Sequence, residues 1–186
     1  MVIKIAITGN IASGKSQVEK SLEGLGYTVY DSDKIAHAVL DGIKDFYGYD
    51  VFTDGKIDRA KLGCLVFNIP DLRKKLEQLT HPKIKAEILA LFEKHKNEKY
   101  IFVSVPLLYE AGFESIFDKV ILVSVDKNIQ LQRLIKRNNF TEEEAQKRIS
   151  AQMSQQEKIK RADFVIENNS SFEALDEQVK CILNKL

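Results

Sequence analysis

The start of the chain contains the feature that most restricts the fold, an apolar run that leads into a Gly-rich loop. Residues 2–7 are rich in β-branched side chains and end at Thr8 and Gly9, which is typical of a buried strand followed by a turn. After Gly14 the apolar residues recur at helical spacing, and Gly26 stands where a helix commonly ends. A strand, a loop and a helix in this order indicate an α/β fold with parallel strands, because parallel neighbours are usually connected through a helix.

The alternation continues along the 186 residues, so we predict a parallel sheet covered by helices on both faces. Further strands are predicted at 27–30, 100–105, 119–125 and 164–166, and helices from about residue 33, at 127–137, 141–157 and 172–186. The middle of the chain has turns at Gly48 and Asp54-Gly55, helical patterns over 58–67 and 71–95, a His81-Pro82 pair that could restart the second helix, and no convincing long strand. We predict one domain, 1–186, with its core at 1–40 and 98–186 and a helical insertion at about 41–97.

The loop after the first strand has the sequence Gly9-Asn-Ile-Ala-Ser-Gly14-Lys15-Ser16, which fits GxxxxGK[ST] in full. Glycines permit backbone conformations that turn successive amides inward onto phosphate oxygens, and the start of a helix adds free amides. Lys15 is predicted to reach the β- and γ-phosphates, and the Ser16 hydroxyl to bind Mg²⁺. The alternative is a Gly-rich turn without a ligand, which the flanking strand and helix disfavour.

Two carboxylates, Asp31 and Asp33, follow the second predicted strand. Ligands of doubly wound sheets bind beyond the carboxyl ends of the strands, so these side chains are expected near the phosphate loop. A carboxylate there could accept a hydrogen bond from an acceptor hydroxyl and direct it at the γ-phosphorus. The alternative is that one of them only caps the following helix. We favour a functional role for Asp33.

Arginines are concentrated in the segment after residue 130, where we predict a mobile lid over about 133–155. Arg133 and Arg137 lie four residues apart on one predicted helix face, and Arg148 and Arg161 follow after Asn138-Asn139. Thr141 and Glu144 have the spacing of a capping box. Guanidinium groups on a closing lid would stabilise phosphate oxygens and exclude water. Scattered surface arginines are the alternative.

Composition excludes several other classes of function. Lys and Arg number 28 against 27 Asp and Glu, so no overall basic field attracts nucleic acid or an anionic membrane. Cys64 and Cys181 are far apart, form no zinc or disulfide pattern, and are predicted to be core residues. The three histidines, His37, His81 and His95, lack metal-ligand spacing. The apolar start is too short for a signal peptide and no segment would span a membrane, so we expect a cytoplasmic protein.

Two other nucleotide-binding patterns have little support. There is no GxGxxG sequence, which disfavours a dinucleotide-binding oxidoreductase. The segment from Asp45 to Gly48 matches the DxxG of GTP-binding proteins, but no apolar strand precedes it and the chain has no NKxD motif.

Taken together, these residues resemble the dephospho-coenzyme A kinases over nearly the whole chain. The resemblance rests on the ordered segments ITGNIASGKS, YDSDKIAHAV, DGKIDRAKLGCLVF, LTHP, VPLLYE, IQLQRLIKRNNFTEEEAQKRISAQ and ADFVIENN. It implies a P-loop kinase fold with a five-stranded parallel sheet, a helical substrate-binding insertion and a lid. It also implies transfer of the ATP γ-phosphoryl group, with Mg²⁺, to the ribose 3′-hydroxyl of dephospho-coenzyme A, the last step of coenzyme A synthesis.

The resemblance also suggests roles for individual residues. Asp33 matches the carboxylate that orients or deprotonates the hydroxyl, and Arg137 the lid arginine that meets the transferring phosphate, so with Lys15 they are the predicted catalytic residues. Predicted substrate-binding residues are Asp33, His81, Glu110, Arg133 and Arg148. Predicted ATP-binding residues are Gly9, Asn10, Ile11, Ala12, Ser13, Gly14, Lys15, Ser16, Gln17 and Asn168, the last of them near the adenine.

The chain departs from the family pattern at a few positions. Asn10 and Ala12 stand where Gly is usual, Gln17 where Thr is usual, His37 where Arg is common, and Ser104 where many members have Asp. The stretch between Val39 and Phe46 is also a few residues short. A nucleoside monophosphate kinase or another small P-loop kinase is the alternative enzyme, and a P-loop nucleotide switch is the alternative without catalysis.

Overall fold

The computed structural model describes residues 2–41, 51–53 and 56–186, apart from the side chains of Lys56 and Phe67. The turns predicted at Gly48 and Asp54-Gly55, the DxxG segment and most of the short stretch before Phe46 lie outside these residues. The chain divides into two compact units, one of Met1–Asp31 with Lys94–Leu186 and the other of Ser32–Glu93.

Seven strands and eight α-helices occur in the described residues. The strands are β1 (Ile3–Gly9), β2 (Val29–Asp31), β3 (Phe52–Thr53), β4 (Lys56–Ile57), β5 (Tyr100–Ser104), β6 (Lys119–Ser124) and β7 (Phe164–Glu167). The helices are α1 (Lys15–Gly24), α2 (Ser32–Asp41), α3 (Arg59–Asn68), α4 (Pro70–Lys94), α5 (Lys127–Asn138), α6 (Glu142–Ser150), α7 (Gln155–Arg161) and α8 (Phe172–Leu183). A single 3₁₀ turn covers Glu114–Ile116.

The first unit is built on a five-stranded sheet in the order β2-β5-β1-β6-β7, and every neighbouring pair is parallel. The predicted α/β fold with a five-stranded parallel sheet is confirmed. Because β1 is the middle strand, the loop that follows it opens at the centre of the carboxyl edge of the sheet. Ile7 of β1 is in register with Ser104 of β5, and Gly9 with Val123 of β6.

Burial on both faces explains why the central strands are almost entirely apolar. Ile5, Phe102 and Leu122, one from each of the three central strands, have no exposed surface. On one face the sheet packs against apolar side chains of α1 and α8, which include Val18, Leu22, Leu175 and Val179. This core holds the carboxyl edge of β1 and the start of α1 in fixed positions.

The second unit is helical apart from one short hairpin, formed by β3 and β4. Its core gathers around Val51, Ile57 and Leu62. Asp58 caps α3, because its side chain accepts hydrogen bonds from the amides of Ala60 and Lys61 at 3.0 and 3.1 Å. The Lys61 amide, which favours the ionised form, lowers the pKa of the Asp58 carboxyl.

Several local expectations need correction. The helix predicted over 141–157 is two helices, because Ser154 begins α7 by accepting a hydrogen bond from the Glu157 amide at 3.2 Å. The predicted restart of a helix at His81-Pro82 is wrong, since α4 continues through Pro82. The capping box of Thr141 and Glu144 at the start of α6 is confirmed.

The cysteines and the helix lengths bear on two further expectations. Cys64 and Cys181 are both exposed free thiols, so their predicted place in the core is wrong. They lie on α3 and α8, whose buried positions are taken by larger apolar side chains such as Leu62 and Val179. Among the described residues, no helix combines the length and the apolar character that a membrane span requires.

Candidate active site

The loop between β1 and α1 is curved by two residues with left-handed backbone conformation and by one internal hydrogen bond. Ala12 and Gly14 both have positive φ, at 60° and 87°, and the Ser13 amide donates to the Asn10 carbonyl at 3.0 Å. Gly14 caps α1, and the amides of Lys15 and Ser16 follow in the first turn, where helix amides have no partner within the helix. These amides and the positive end of the helix dipole favour a phosphate group at the centre of the loop.

Gly14 is required here for space as well as for its conformation. A Cβ atom at this position would overlap Asn168 Nδ2 and would lie 3.7 Å from Arg133 Nη1. Asn168 is almost fully buried, and its side-chain nitrogen donates to the Ser13 carbonyl at 2.8 Å. Its amide donates to the carbonyl of Ser124, the last residue of β6, also at 2.8 Å. The structure therefore brings Asn168 to the phosphate loop, as a contact of the loop backbone.

The other side of the loop is held by amide side chains from distant parts of the chain. The Ile11 amide donates to Gln152 Oε1 at 2.7 Å, and Gln130 Nε2 donates to the Ile11 carbonyl at 2.8 Å. Asn10 Nδ2 donates to the Met153 carbonyl at 2.9 Å. Sequence reasoning missed Gln130 and Gln152. Gln130 lies one helical turn before buried Leu134 and is itself buried, so a glutamine on the apolar face of α5 is the signal that could have found it.

Lys15 lies in a polar cluster with Glu19 and Ser104, and the sequence did not predict this cluster. Lys15 Nζ is 2.6 Å from Glu19 Oε1 and also donates to Ser104 Oγ. Ser104 Oγ donates in turn to Glu19 Oε1 at 2.6 Å. The side chains of Lys15 and Glu19 are 17% and 20% exposed, so most of this ion pair is shielded from water.

The four arginines of the predicted lid and its surroundings have different environments. Arg133 Nη1 is buried, close to Gly14, and has no hydrogen-bond partner in the described part of the chain. Arg137 is exposed and its Nε donates to Asn138 Oδ1 at 2.9 Å. Arg148 stacks on the ring of Phe140 at 4.4 Å, and Arg161 on the ring of Tyr109 at the same distance. Of these, the structure brings Arg133 to the phosphate loop.

Glu110 is tied to the segment that joins α6 to α7. Its Oε1 accepts a hydrogen bond from the Met153 amide at 3.0 Å and lies 2.8 Å from Nζ of Lys158, whose side chain is fully buried. Met153 in turn accepts the hydrogen bond from Asn10. Burial raises the pKa of the Tyr109 phenol, next in sequence to Glu110. Glu110 therefore contacts the phosphate loop indirectly, through the Met153 backbone.

Two predicted site residues belong to the second unit. Asp33 is exposed in the first turn of α2, and His81 is half-buried in α4. Asp31 ends β2 in the first unit and is in register with Ser104, so it lies at the carboxyl edge of the sheet. His37 is exposed on α2.

No group of three or more His, Cys, Asp or Glu residues that could hold a metal ion occurs within residues 2–41, 51–53 and 56–186. The donors beside the phosphate loop are the hydroxyls of Ser16 and Ser104 and the carboxylate of Glu19. All three are oxygen donors, which suits Mg²⁺, an ion usually bound by one or two carboxylates together with water and phosphate oxygens. The residues present therefore fit a magnesium ion that arrives with a nucleotide.

The contacts of Gly14 predict the effect of a single methyl group. Gly14→Ala is expected to cost about 1–2 kcal/mol of unfolding free energy from the left-handed backbone alone. The overlap with Asn168 should displace the loop and abolish ADP binding. Urea denaturation and calorimetric titration with ADP measure the two effects.

Gly24→Ala is the matched control, because it lies in α1 and a Cβ there meets no described atom within 4 Å. Its ADP affinity should equal that of the wild type, and its free energy of unfolding should be equal or up to about 1 kcal/mol higher, because Ala is a better helix former than Gly. Wild-type ADP affinity in Gly14→Ala would contradict the assignment of this loop as the phosphate site.

Solved structures similar to this chain include a dephospho-CoA kinase and a shikimate kinase. A Thermus thermophilus protein superposes with a TM-score of 0.87 at 34% identity, covering 100% of this chain and 98% of its own. Dephospho-CoA kinase from Campylobacter jejuni superposes with a TM-score of 0.76 at 33% identity, covering 100% of this chain and 97% of its own. A shikimate kinase from Bacteroides thetaiotaomicron has a TM-score of 0.57 at 15% identity, a likeness that shows the shared fold alone.

Sequence comparison agrees over the full length. Dephospho-CoA kinase of Geobacillus kaustophilus is 45% identical over 195 residues, which span 100% of this chain and 97% of that protein. Dephospho-CoA kinase of Listeria innocua is 39% identical, spanning 97% of this chain and 96% of that protein. The family model described as dephospho-CoA kinase matches residues 3–174. The chain belongs to the dephospho-CoA kinase family.

Proposed function

We propose that this protein transfers the γ-phosphoryl group of ATP to the ribose 3′-hydroxyl of dephospho-coenzyme A. The observation that carries the proposal is the loop of residues 9–16, whose left-handed Gly14 directs it around the first turn of α1 with Lys15 beside it. That loop supports the binding of a nucleoside triphosphate. Membership of the family supports the choice of acceptor.

The reaction requires an oxygen of the acceptor to replace the leaving oxygen at phosphorus. The 3′-oxygen forms a bond to the γ-phosphorus as the bond from that phosphorus to the β,γ-bridging oxygen breaks, and ADP leaves with that oxygen. Asp33 accepts the hydroxyl proton or orients the hydroxyl for attack. Lys15 and the amides at the start of α1 bind the phosphate oxygens, and Arg137 stabilises the transferring group.

Further residues are proposed for binding. ATP contacts Gly9, Asn10, Ile11, Ala12, Ser13, Gly14, Lys15, Ser16, Gln17 and Asn168, the last of these near the adenine. The Ser16 hydroxyl would hold Mg²⁺, and the ion would neutralise charge on the phosphate oxygens. The acceptor is bound by Asp33, His81, Glu110, Arg133 and Arg148. Arg133 lies beside Gly14 with its buried Nη1 unpartnered among the described residues, which supports a contact to phosphate oxygens.

The proposal also covers the setting of the reaction. The partner is a small molecule, and the compartment is the cytoplasm. Free, exposed thiols at Cys64 and Cys181 are consistent with a reducing compartment.

A panel of acceptors tests the reaction. With ATP and Mg²⁺, dephospho-coenzyme A should yield ADP and a 3′-phosphate ester in equal amounts, detected by chromatography and mass spectrometry. Nucleoside monophosphates should yield no diphosphate above the background of ATP hydrolysis. If only a nucleoside monophosphate is phosphorylated, dephospho-coenzyme A is not the acceptor. Tight ATP binding without turnover of any acceptor would favour a nucleotide switch.

A single amide substitution tests the role of Asp33. Asp33→Asn is expected to lower kcat by about 10² to 10⁴, because the amide neither accepts the proton nor orients the hydroxyl as the carboxylate does. ATP affinity should stay near the wild-type value. Asp71→Asn, an exposed substitution in the first turn of α4, is the control and should leave kcat unchanged. If Asp33 serves only as a helix-starting residue, Asn will keep kcat normal, since Asn caps helices as well as Asp does.

The lid arginine is tested by removing its charge. Arg137→Ala is expected to reduce kcat at least 10²-fold, because the exposed guanidinium is then absent when charge develops on the transferring group. Lys136→Ala removes a positive charge from the adjacent exposed position on α5 and serves as the control. Steady-state kinetics of both variants measure the difference. Near-normal turnover of Arg137→Ala would remove this residue from the catalytic set.

A further inference from the structure

Glu19 lies beside Lys15 of the phosphate loop, although the loop motif does not include a carboxylate at this position. Lys15 and Glu19 are one helical turn apart, so both side chains are on the same face of α1. Glu19 Oε1 is 2.6 Å from both Lys15 Nζ and Ser104 Oγ. Ser104 is the last residue of β5 and has no exposed surface. Two elements of one unit, α1 and β5, therefore fix the position of this carboxylate.

A triphosphate changes the electrostatics of this cluster. When the Lys15 ammonium binds phosphate oxygens, the carboxylate of Glu19 loses its counterion. The Glu19 side chain is only 20% exposed, so water screens its charge poorly, and it would repel the phosphates. Nucleotide binding at this site is therefore tighter when another cation takes the place of Lys15 beside Glu19.

The donors around Glu19 indicate which cation fits. The hydroxyl of Ser104 contacts the Glu19 carboxylate directly, and Ser16 stands three residues before Glu19 in the first turn of α1. Mg²⁺ prefers oxygen donors and needs only one or two carboxylates when phosphates and water complete its shell. A second carboxylate, Asp31, is in register with Ser104 at the end of β2. Glu19 is the carboxylate that contacts both Lys15 and Ser104.

We propose that Glu19 is the protein carboxylate that supports Mg²⁺ in the nucleotide complex and thereby makes nucleotide binding depend on the metal. The inference rests on the proposed function only in its use of ATP, and it is independent of the acceptor. It assigns two states to Glu19. Without nucleotide, Glu19 holds Lys15 at the end of β5, and with nucleotide it faces the metal.

Binding of ADP, with Mg²⁺ or with EDTA, tests this role without any catalytic turnover. The quantity of interest is the factor by which Mg²⁺ tightens ADP binding, measured by isothermal titration calorimetry. In Glu19→Gln this factor should fall by about 10- to 100-fold, as expected for the loss of a group that supports a bound metal. The affinity for metal-free ADP should equal or exceed that of the wild type, because a repelling charge is gone.

Two further variants complete the design. Glu23→Gln removes an exposed charge one turn further along α1 and should keep the wild-type factor. Glu19→Ala combined with Ser104→Asp moves a carboxylate onto β5, beside the space that Glu19 vacates, and should recover at least a tenth of the wild-type factor. A thermal melt of each variant shows whether it is folded.

The outcomes separate the competing explanations. An unchanged Mg²⁺ factor in Glu19→Gln overturns the proposal. So does an equal loss of affinity with and without metal, which would mean that Glu19 only positions Lys15. A folded double variant without recovery contradicts the claim that the charge at this point is what the metal requires. A wild-type protein that binds neither form of ADP would contradict the proposed function, and the role of Glu19 with it.

Discussion

The left-handed turn at Gly14 is the constraint on which the rest of the site depends. It ends the loop after β1 and begins α1, so it determines where the first amides of the helix lie. Asn168 fills the space in which any side chain at position 14 would stand, and holds the Ser13 carbonyl. Left-handed backbone at Ala12 adds a cost that glycine would avoid, on the order of 1 kcal/mol. The loop tolerates this strain because the segments around it hold its backbone in one conformation.

Those segments come from both sides of the loop and from widely separated parts of the sequence. Gln130 from α5 and Gln152 from the α6–α7 connection bind the two polar groups of the Ile11 backbone. The Met153 carbonyl accepts a hydrogen bond from the Asn10 side chain, and the Met153 amide donates one to the carboxylate of Glu110. Glu110 in turn lies beside the buried ammonium of Lys158. A loop held in this way loses little conformational entropy when a phosphate binds, and preorganised donors of this kind stabilise charge that develops during phosphoryl transfer. The α6–α7 connection, which lies within the predicted lid, therefore contacts the loop directly.

In the structure, the positive charge of Lys15 is balanced by Glu19, and Ser104 contacts both side chains. Lys15, which is predicted to bind phosphate oxygens, forms an ion pair with Glu19 at a position that is mostly shielded from water. Such a pair avoids an isolated buried charge, which would be costly in the absence of nucleotide. It also means that nucleotide and metal together must compensate for the ion pair that they break.

Much of the fold and part of the site followed from local sequence. The strands were recognised because residues buried on both faces of a sheet are almost uniformly apolar, and the phosphate loop because its backbone geometry admits only certain residues at Gly9 and Gly14. The break between α6 and α7 was missed because residues 151–154 contain no Gly or Pro to mark the end of a helix. Glu19, on α1, and Gln152, in the α6–α7 connection, were missed because a single charged or amide residue has no local signature that separates a site residue from a solvated one. The sequence by itself determined the strand, the loop and the helix of the predicted phosphate site, since backbone conformation depends on neighbouring residues. Only the tertiary structure decided which side chains surround that loop, because β5, β6, α5 and the α6–α7 connection reach it from distant parts of the chain.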